Sequence, residues 1–194
     1  MKPVSTEEAA EVLRGGKVAL IPTETVVGLI AGDTGLHRIW EIKGRDPDKP
    51  VALLCASAEE AFALTGEVPL LARKLAALYW PGPLTLVLAS ADGGTVGLRV
   101  PDHPAVRDLL TAYGGPLYAT SANLSGKTAP RAIEDVDERV MAGADFALAG
   151  DPGGGEASAV VDLSGGGARL LRATAELTEE RLALLAEETK TNTD

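Results

Sequence analysis

Five side chains in one short stretch of this sequence could bind a polyphosphate. The stretch covers residues 21–50 and reads IPTETVVGLIAGDTGLHRIWEIKGRDPDKP, and the five residues are Thr23, Thr25, Lys43, Arg45 and Lys49. Ammonium and guanidinium groups form charge-assisted hydrogen bonds with phosphate oxygens. Because the chain has a formal net charge of −10, three cations within seven residues require an explanation. The stretch predicts a cleft in which these cations face phosphates and the two threonine hydroxyls lie opposite them.

The cations at residues 43–49 also have a structural interpretation, because lysine and arginine stabilise the negative C-terminal end of a helix. Pro47 and Pro50 favour the phosphate interpretation, since proline restricts the backbone of the loop that carries the cations. A stiff loop holds its charged groups in fixed positions, which suits a polyphosphate. The residues alone leave both interpretations open.

The Thr-Glu-Thr sequence at residues 23–25 lies between two predicted strands, at a corner where side chains can be held rigidly. Thr23 and Thr25 have an alternative role as β-branched residues that simply suit the sheet. No second acid lies at a fixed spacing from Glu24. We therefore interpret Glu24 as a solvent-facing or ion-paired carboxylate and not as a general base.

A second polar segment, TSANLSG at residues 120–126, is predicted to be a loop between a strand and a helix. Its hydroxyls and amide could cradle an anion or a carboxylate, although the same residue types favour ordinary turns and caps. Arg99 and Arg172 each adjoin an apolar strand, where a long side chain can reach a cleft. Ser158 follows a glycine-rich loop at residues 151–156, whose glycines would permit closure over the site.

Several common sites are absent from the sequence. It contains no GxxxxGK[ST] phosphate loop and no dinucleotide fingerprint after the first predicted strand. The two histidines, His37 and His103, are isolated, so a histidine metal site or a Ser-His-Asp triad has no support. The single cysteine, Cys55, lies in an apolar strand and is predicted to be a buried, inert thiol. A nucleotide would bind here without a standard motif.

The composition is that of a soluble globular protein. The chain has 194 residues, of which 45% are hydrophobic and 24% charged, so it is long enough to bury a core and is not disordered. Its net charge of −10 argues against a broad footprint on a nucleic-acid backbone. It contains neither an N-terminal apolar signal segment nor a run of roughly 20 apolar residues that a membrane helix needs. The sequence therefore predicts a cytoplasmic protein without membrane association.

Alternating helices and strands must position the candidate residues. Periodicity and capping residues predict helices at residues 5–14, 36–43, 57–64, 70–79, 103–113, 133–141 and 176–188. They predict strands at residues 18–21, 26–31, 51–55, 84–89, 96–100, 116–119, 146–148, 159–163 and 168–171. Tight turns join some strands, which excludes a purely parallel doubly wound sheet.

The predicted fold class is α/β of the α+β type, with a twisted mixed parallel/antiparallel sheet flanked by helices. We expect one domain over residues 1–194, with a core at about residues 5–174 and a C-terminal helix and polar tail at residues 175–194.

Six segments resemble, in order, the YrdC-like threonylcarbamoyl-AMP synthases. They are IPTETVVGL, the KGR…K loop, WPGPLTLVL, TVGLRVPDHP, the SANLSG loop and SAVVD followed by LLR, and they extend from about residue 19 to residue 172. The resemblance implies the short, single-domain form of a fold with a positively charged concave face. It also implies the synthesis of L-threonylcarbamoyladenylate from L-threonine, bicarbonate and ATP, with release of pyrophosphate. The product would pass to a separate transferase that forms N6-threonylcarbamoyladenosine in tRNA.

The resemblance further implies roles for individual residues. The catalytic residues would be Lys43, Arg45 and Ser121. The residues that hold ATP and its phosphates would be Lys43, Arg45, Lys49, Thr95, Ser121, Asn123 and Arg172. The residues that hold L-threonine would be Thr23, Arg99, Ala119 through its backbone, and Ser158. Arg99 would pair with the threonine carboxylate, and Mg²⁺ would enter with ATP, bridging phosphates without a dedicated protein cage.

The sequence departs from the family pattern at three positions. Val27 stands where the family usually has tyrosine or another aromatic residue, which removes any stacking or hydroxyl role. Leu54 stands where many relatives have histidine, which removes one expected contact near threonine. Lys49 stands where relatives can have asparagine, and this change should strengthen the attraction for phosphate.

Other functions share some of these features. Members of this family have been interpreted as RNA-binding or translation-associated factors, but the net charge argues against strong direct tRNA binding. A dihydroxybutanone-phosphate synthase would require clustered acidic metal ligands, which the sequence lacks. A carbamoyl-transfer relative on the same fold is usually part of a much larger chain. The site residues, and not the fold, separate these alternatives.

Overall fold

The structure is a computed structural model, and it describes residues 4–46, 49, 51–151 and 153–191. Pro47 and Pro50, which were predicted to stiffen the basic loop, lie outside the described residues, as does Pro152 of the glycine-rich loop. None of the helices in the described part of the chain combines the length and the apolar character that crossing a bilayer requires.

The described residues form seven α-helices and nine strands, with two short 3₁₀ turns at Asp33–Gly35 and Ile133–Asp135. The helices are α1 Thr6–Arg14, α2 Leu36–Lys43, α3 Ala58–Ala63, α4 Leu70–Tyr79, α5 Pro104–Tyr113, α6 Glu138–Gly143 and α7 Glu179–Thr191. The strands are β1 Val18–Ile21, β2 Gly28–Ala31, β3 Ala52–Leu54, β4 Leu84–Ala89, β5 Thr95–Arg99, β6 Leu117–Ser121, β7 Phe146–Ala147, β8 Ala159–Asp162 and β9 Arg169–Arg172.

All of these strands belong to one sheet with the order β7-β1-β2-β6-β3-β5-β4-β8-β9. The pairs β1/β7, β3/β5 and β4/β8 are parallel, and the other neighbouring pairs are antiparallel. The prediction of a mixed sheet flanked by helices is confirmed. The parallel pairs join strands that are distant in sequence, so they bring separate polar segments to one place.

The first half of the sheet is covered on both faces. Along β1, Ala19 and Ile21 pack with residues of α1 and α5, whereas Val18 and Leu20 pack with residues of α2 and α6. Successive side chains of a strand point to opposite faces, so a strand with helices on both sides must be apolar throughout. The continuous run VALI meets this requirement.

The second half of the sheet is covered on one face. The leucines of β4 at positions 84, 86 and 88 pack with residues of α3, α4 and α7, and they form a separate core with Leu98 and Val161. The intervening residues Thr85 and Val87 point the opposite way and line a cleft. This uncovered face is the surface on which the candidate site lies.

Local signals explain most of the helix boundaries. Ser5 and Ser57 cap α1 and α3, because their hydroxyls accept hydrogen bonds from the backbone N–H groups of Glu8 and Glu60, both at 3.2 Å. Gly44 ends α2 in the left-handed conformation, with φ of 57°, which glycine adopts without a steric penalty. The loop that follows Gly44 carries Arg45 toward the cleft.

Several predicted boundaries are wrong. The strand predicted at residues 116–119 continues to Ser121, because Gly28 of β2 pairs with Ser121 and extends the ladder. The strand predicted to begin at Val26 begins at Gly28. The helix predicted at residues 133–141 is interrupted at Val136, which is extended, and α6 begins after Asp137 caps it. The last helix begins at Glu179, where the Thr178 hydroxyl accepts from Arg181 N at 3.2 Å.

Candidate functional site

A cleft of about 370 Å³ lies on the uncovered face of the sheet. Small side chains on adjacent strands form its floor, where Ala119 pairs with Ala52 and Gly97 pairs with Val87. A Cβ atom at Gly97 would lie 3.5 Å from the Cβ of Ala52, so even a methyl group there would fill part of the floor. Truncated side chains in the middle of the sheet therefore make this face concave.

One end of the cleft contains Arg99, which is buried with 8% of its surface exposed. Its Nη2 donates to Glu24 Oε1 at 2.6 Å and to Thr25 Oγ1 at 2.9 Å, and its Nε donates to the carbonyl of Gly82 at 3.3 Å. The guanidinium is therefore attached to the Thr-Glu-Thr corner. Glu24 is ion-paired, which was one of the two alternatives predicted for this carboxylate.

The corner itself is closed by the Thr23 side chain. The Thr23 hydroxyl donates to the carbonyl of Val26 at 2.7 Å and accepts from the N–H groups of Thr25 and Val26 at 3.1 and 3.2 Å. Thr23 Oγ1 and Thr25 Oγ1 lie 2.8 Å apart. A threonine side chain that bonds to nearby backbone fixes a turn, so Thr23 determines where Glu24 and Thr25 lie.

Two hydroxyls and a second guanidinium meet beside Arg99. Thr85 Oγ1 and Ser158 Oγ lie 3.0 Å apart, and Arg172 donates to the Ser158 carbonyl at 2.6 Å and to its hydroxyl at 3.2 Å. Partial desolvation of the guanidinium, followed by the nearby positive charge of Arg99, lowers the pKa of Arg172. The two arginines thus make this end of the cleft suitable for an anion.

The opposite end of the cleft contains Arg45 and the end of β6. Arg45 Nη1 donates to Thr120 Oγ1 at 3.4 Å, and Arg45, Thr120 and Ser121 all line the cleft. Because β6 extends to Ser121, both hydroxyls are carried by a strand that is paired on both sides at Ala119. Strand pairing gives these groups a more rigid support than the predicted loop would have given.

Lys43 lies behind this end and not on its surface. Lys43 is 3% exposed, and its Nζ donates to the carbonyl of Ser121, to the carbonyl of Asn123 at 2.7 Å and to Asn123 Oδ1 at 3.4 Å. Burial of the ammonium group, followed by repulsion from Arg45, lowers the pKa of Lys43 to about 8. Lys43 therefore supports the segment that carries Ser121.

Asn123 completes that support. Its Oδ1 accepts from Ser121 Oγ, and its Nδ2 donates to the carbonyls of Leu124 and Lys127 at 3.0 and 2.6 Å. All of these bonds are local to residues 121–127. The Ser121 hydroxyl is oriented by them before any ligand binds.

The structure brings most of the predicted site residues to one cleft. Those that line it are Thr23, Arg45, Thr95, Arg99, Ala119, Ser121 and Arg172. Among the described residues, four predicted site residues lie outside the lining, namely Lys43, Lys49, Asn123 and Ser158. Ser158 lies behind Thr85 and Arg172, whereas Lys49 is exposed. The functional roles of all eleven residues stay predictions.

Sequence reasoning did not identify Thr85 or Thr120 as individual site residues. Thr85 is a buried polar residue in the otherwise apolar strand LTLVLA, and that contrast was the available signal.

Two of the three residues that depart from the family pattern are buried. Val27 is 1% exposed and packs in the core under α2 and α6, and Leu54 is 3% exposed and lines the cleft. Burial raises the pKa of the Cys55 thiol to about 12, with a smaller contribution from Glu60, as expected for an inert thiol.

A protein-family model for Sua5, YciO and YrdC, described as telomere recombination, matches residues 11–174. Threonylcarbamoyl-AMP synthase of Pyrococcus abyssi is 41% identical over 142 residues, which are 67% of this chain and 42% of that protein. Threonylcarbamoyl-AMP synthase of Vibrio vulnificus is 34% identical over 161 residues, which are 76% of this chain and 87% of that protein. The sequence match covers less than half the length of the Pyrococcus abyssi protein and of a similar Bacillus subtilis protein.

Solved structures give the same picture of the fold. The structure of Pyrococcus abyssi Sua5 complexed with L-threonine has a TM-score of 0.80 and 36% identity, covering 86% of this chain and 53% of that chain. The structure of Escherichia coli YciO has a TM-score of 0.77 and 24% identity, covering 88% of this chain and 89% of that chain.

Proposed function

The chain belongs to the Sua5/YciO/YrdC family, and we propose that it synthesises L-threonylcarbamoyladenylate from L-threonine, bicarbonate and ATP. The observation that carries the proposal is a single cleft with two different cationic ends. Arg99 and Arg172 lie at one end with the hydroxyls of Thr85 and Ser158, and Arg45 lies at the other end with Ser121. Relatives named threonylcarbamoyl-AMP synthase support the same reaction.

L-Threonine would occupy the end that contains Arg99. Its carboxylate would pair with the guanidinium, and its hydroxyl would find partners in the cluster of Thr85, Ser158 and Arg172. The binding of L-threonine by Sua5 of Pyrococcus abyssi supports this assignment. Ala119, on the floor of the cleft, lies between this end and the phosphate end.

ATP would occupy the end that contains Arg45. The guanidinium of Arg45 and the hydroxyl of Thr120 would donate to phosphate oxygens, with Thr95 at the open edge of the cleft. The Ser121 hydroxyl would turn its single hydrogen from Asn123 Oδ1 to a phosphate oxygen. Lys43 and Asn123 would act from behind by holding the Ser121 segment in place. Lys49 is exposed close in sequence to Arg45, where its charge would attract the polyphosphate.

The reaction requires the protein to position the substrates and to stabilise the charge that develops on the phosphoryl oxygens. The amine of L-threonine combines with bicarbonate to give a carbamate and water. A carbamate oxygen then attacks the α-phosphorus, and the bond from that phosphorus to the pyrophosphate oxygen breaks. Negative charge develops on the phosphoryl oxygens in this step, and donors at the phosphate end of the cleft, Arg45 foremost, stabilise it.

Magnesium would arrive as part of the substrate MgATP. The lining of the cleft, within the described residues, offers guanidinium groups, hydroxyls and backbone atoms but no carboxylate. No group of three or more potential metal-ligating side chains occurs in the described part of the chain. These residues do not fit a resident Mg²⁺ site, because this ion prefers carboxylate and phosphate oxygens.

The adenylate would pass to a separate transferase that modifies tRNA. The net charge of −10 does not suit binding to the tRNA backbone by this chain itself. We therefore expect the small molecule, and not the tRNA, to be the ligand of the cleft.

Pyrophosphate release from MgATP tests the proposal. It should require both L-threonine and bicarbonate, and mass spectrometry should detect threonylcarbamoyladenylate. Serine and glycine in place of threonine would measure the specificity. ATP binding without turnover would instead favour a carbamoyl-transfer or regulatory relative. Absence of ATP binding, together with salt-dependent RNA binding, would favour an RNA-binding factor and would overturn the proposal.

A further inference from the structure

The Arg99 guanidinium has one occupied edge and one available edge. Arginine carries five N–H groups. In this structure the Nε group and both hydrogens of Nη2 have acceptors in Gly82, Glu24 and Thr25. Within the described part of the chain, Nη1 has no protein acceptor. The two N–H groups of Nη1 therefore remain for a ligand in the cleft.

Glu24 holds the occupied edge through a largely buried ion pair. Glu24 Oε1 lies 2.6 Å from Arg99 Nη2, and the side chains of Arg99 and Glu24 are 10% and 19% exposed. The second carboxylate oxygen, Oε2, is buried and accepts no hydrogen bond from the described residues. Glu24 thus contacts one nitrogen of the guanidinium. It does not form a bidentate ion pair that would occupy Nη1 as well.

The position of Glu24 is fixed by backbone contacts on both sides of it. The Thr23 hydroxyl closes the turn, and the carbonyls of Glu24 and Thr25 accept from Gly154 N at 2.9 Å and from Gly155 N at 2.7 Å. The backbone that carries the Glu24 carboxylate is therefore held in place on both sides.

The charge balance leads to the same assignment. Arg172 lies close enough to Arg99 for the charge of Arg99 to affect it. Without Glu24, the positive charges of two neighbouring guanidinium groups would be uncompensated at this end of the cleft. Glu24 offsets one of the charges, and a bound carboxylate would be matched by the other.

We propose that Glu24 is a positioning residue that holds Arg99 by Nη2 so that the Nη1 edge faces the carboxylate of L-threonine. The inference rests on the proposed function, because it takes the amino-acid substrate from that proposal. It adds a second role for the Thr-Glu-Thr corner. The corner orients the arginine that selects an α-carboxylate and does not itself need to contact the substrate through Glu24.

Three substitutions at Glu24 distinguish the effect of its hydrogen bond to Arg99 from the effect of its negative charge. Glu24→Gln keeps an oxygen acceptor for Arg99 but removes the charge, Glu24→Asp keeps the charge but shortens the reach, and Glu24→Ala removes both. Isothermal titration of the full chain with L-threonine gives the dissociation constant without any need for turnover. Titration with MgATP provides the comparison at the other end of the cleft.

The positioning role predicts a graded result. Glu24→Gln should bind L-threonine within about threefold of the parent protein, because the hydrogen bond to Arg99 is retained. Glu24→Asp and Glu24→Ala should bind L-threonine about 10- to 100-fold more weakly, the range expected when a hydrogen bond to a charged group is lost. MgATP affinity should be unchanged in all three. Glu67→Gln, which alters an exposed glutamate outside the cleft lining, is the matched control.

Three other outcomes would overturn the inference. If Glu24→Asp and Glu24→Ala bind L-threonine as tightly as the parent protein, Glu24 does not position Arg99. If Glu24→Gln and Glu24→Ala bind it more tightly, Glu24 competes with the substrate carboxylate. If Glu24→Gln and Glu24→Asp lose MgATP and L-threonine affinity equally, the residue only maintains the fold.

Should Glu24→Ala fail to fold, the Gln and Asp variants decide between these outcomes. If the parent protein itself does not bind L-threonine, the proposed function fails first.

Discussion

Lys43 Nζ donates hydrogen bonds to the backbone carbonyl of Asn123 at 2.7 Å and to Oδ1 of the same residue at 3.4 Å. The same ammonium group donates to the carbonyl of Ser121. A backbone hydrogen bond joins the same two segments, because Ser125 N donates to the Lys43 carbonyl at 3.1 Å. The C-terminal end of α2 and the segment after β6 thus form one hydrogen-bonded unit, and this unit carries Arg45 on one side and Ser121 on the other.

Replacing Lys43 should therefore reduce turnover through Ser121. Lys43→Met fills a similar volume but removes all three hydrogen bonds, so the Ser121 segment would lose its fixed position. A displacement of about 1 Å near the reacting atoms can lower a rate about 100-fold, and we expect a decrease in kcat of that order. Steady-state assays of pyrophosphate release would measure it.

The control for this variant is Lys17→Met. Lys17 is an exposed lysine that pairs with Asp145 at 3.3 Å, on the β1 side of the sheet. This variant should keep its activity. Normal turnover in Lys43→Met would show that the ammonium group is not needed to place Ser121.

The turnover rate should fall as the pH rises through about 8, the value to which burial and Arg45 lower the pKa of Lys43. Loss of the proton converts the ammonium group into a neutral amine, which donates weaker hydrogen bonds to the carbonyls of Ser121 and Asn123. Because threonine and bicarbonate also titrate, the test is a comparison of pH profiles. The decline near pH 8 should be present in the parent protein and absent from the residual activity of Lys43→Met. Identical profile shapes would contradict this assignment.

The free energy of unfolding should change with pH in the opposite direction. The folded-state pKa of Lys43 lies below its ordinary value of 10.5, so between pH 8 and 10.5 the unfolded chain binds more protons at this residue. The contribution of this group to stability therefore increases with pH across that window. Urea unfolding at pH 7 and pH 9.5 should show a gain for the parent protein relative to Lys43→Met. An equal pH dependence in both proteins would contradict the prediction.

Sequence patterns predicted the elements whose boundaries are set by residues close in sequence. The helix α4 was predicted with the same bounds that it has, and α2 ends where Gly44 was expected to end it. The loop predicted at residues 120–126 was placed two residues too early at its start, for a non-local reason. Threonine and serine favour turns in general, but pairing with Gly28 of β2 keeps both residues in β6.

The contacts between distant residues were not accessible from the sequence. Thr85 and Ser158 are separated by 73 positions, and they meet because β4 and β8 are parallel neighbours. Parallel pairing of distant strands has no local signature comparable to a hairpin turn. For the same reason the sequence suggested that Lys43 faces phosphate, whereas side-chain packing places its ammonium group behind the Ser121 segment.

Arg45→Ala and Ser121→Ala should each abolish most adenylate formation and leave the fold intact. Both residues line the phosphate end of the cleft, and loss of one donor that stabilises developing charge lowers kcat by about 100- to 1000-fold. Circular dichroism and thermal unfolding would establish that the fold is retained. Arg107→Ala, which alters an exposed arginine on α5, is the matched control and should be fully active. Normal turnover in either site variant would place the phosphates elsewhere.

Gly153→Ala should disrupt the Thr-Glu-Thr corner. A Cβ atom at Gly153 would lie 2.0 Å from the Thr23 carbonyl oxygen and 2.4 Å from the Glu24 carbonyl carbon. Backbone atoms cannot give way as a flexible side chain can, so either the corner or residues 153–155 must shift. Overpacking of this kind costs about 1–3 kcal/mol, which thermal unfolding would detect. The shift would also displace Glu24 and hence Arg99, so L-threonine affinity should fall more than MgATP affinity.

Gly154→Ala distinguishes this steric effect from a general loss of glycine in the loop. A Cβ atom at Gly154 would lie 3.6 Å from the Glu24 carbonyl oxygen, which is ordinary contact. Its N–H group still donates to the same carbonyl after the substitution. Gly154→Ala should therefore keep its stability and its L-threonine affinity while Gly153→Ala loses both. Equal losses in the two variants would mean that the flexibility of the glycine-rich loop matters and not its close approach to the corner. Normal L-threonine binding in a destabilised Gly153→Ala protein would mean that the corner can shift without moving Arg99.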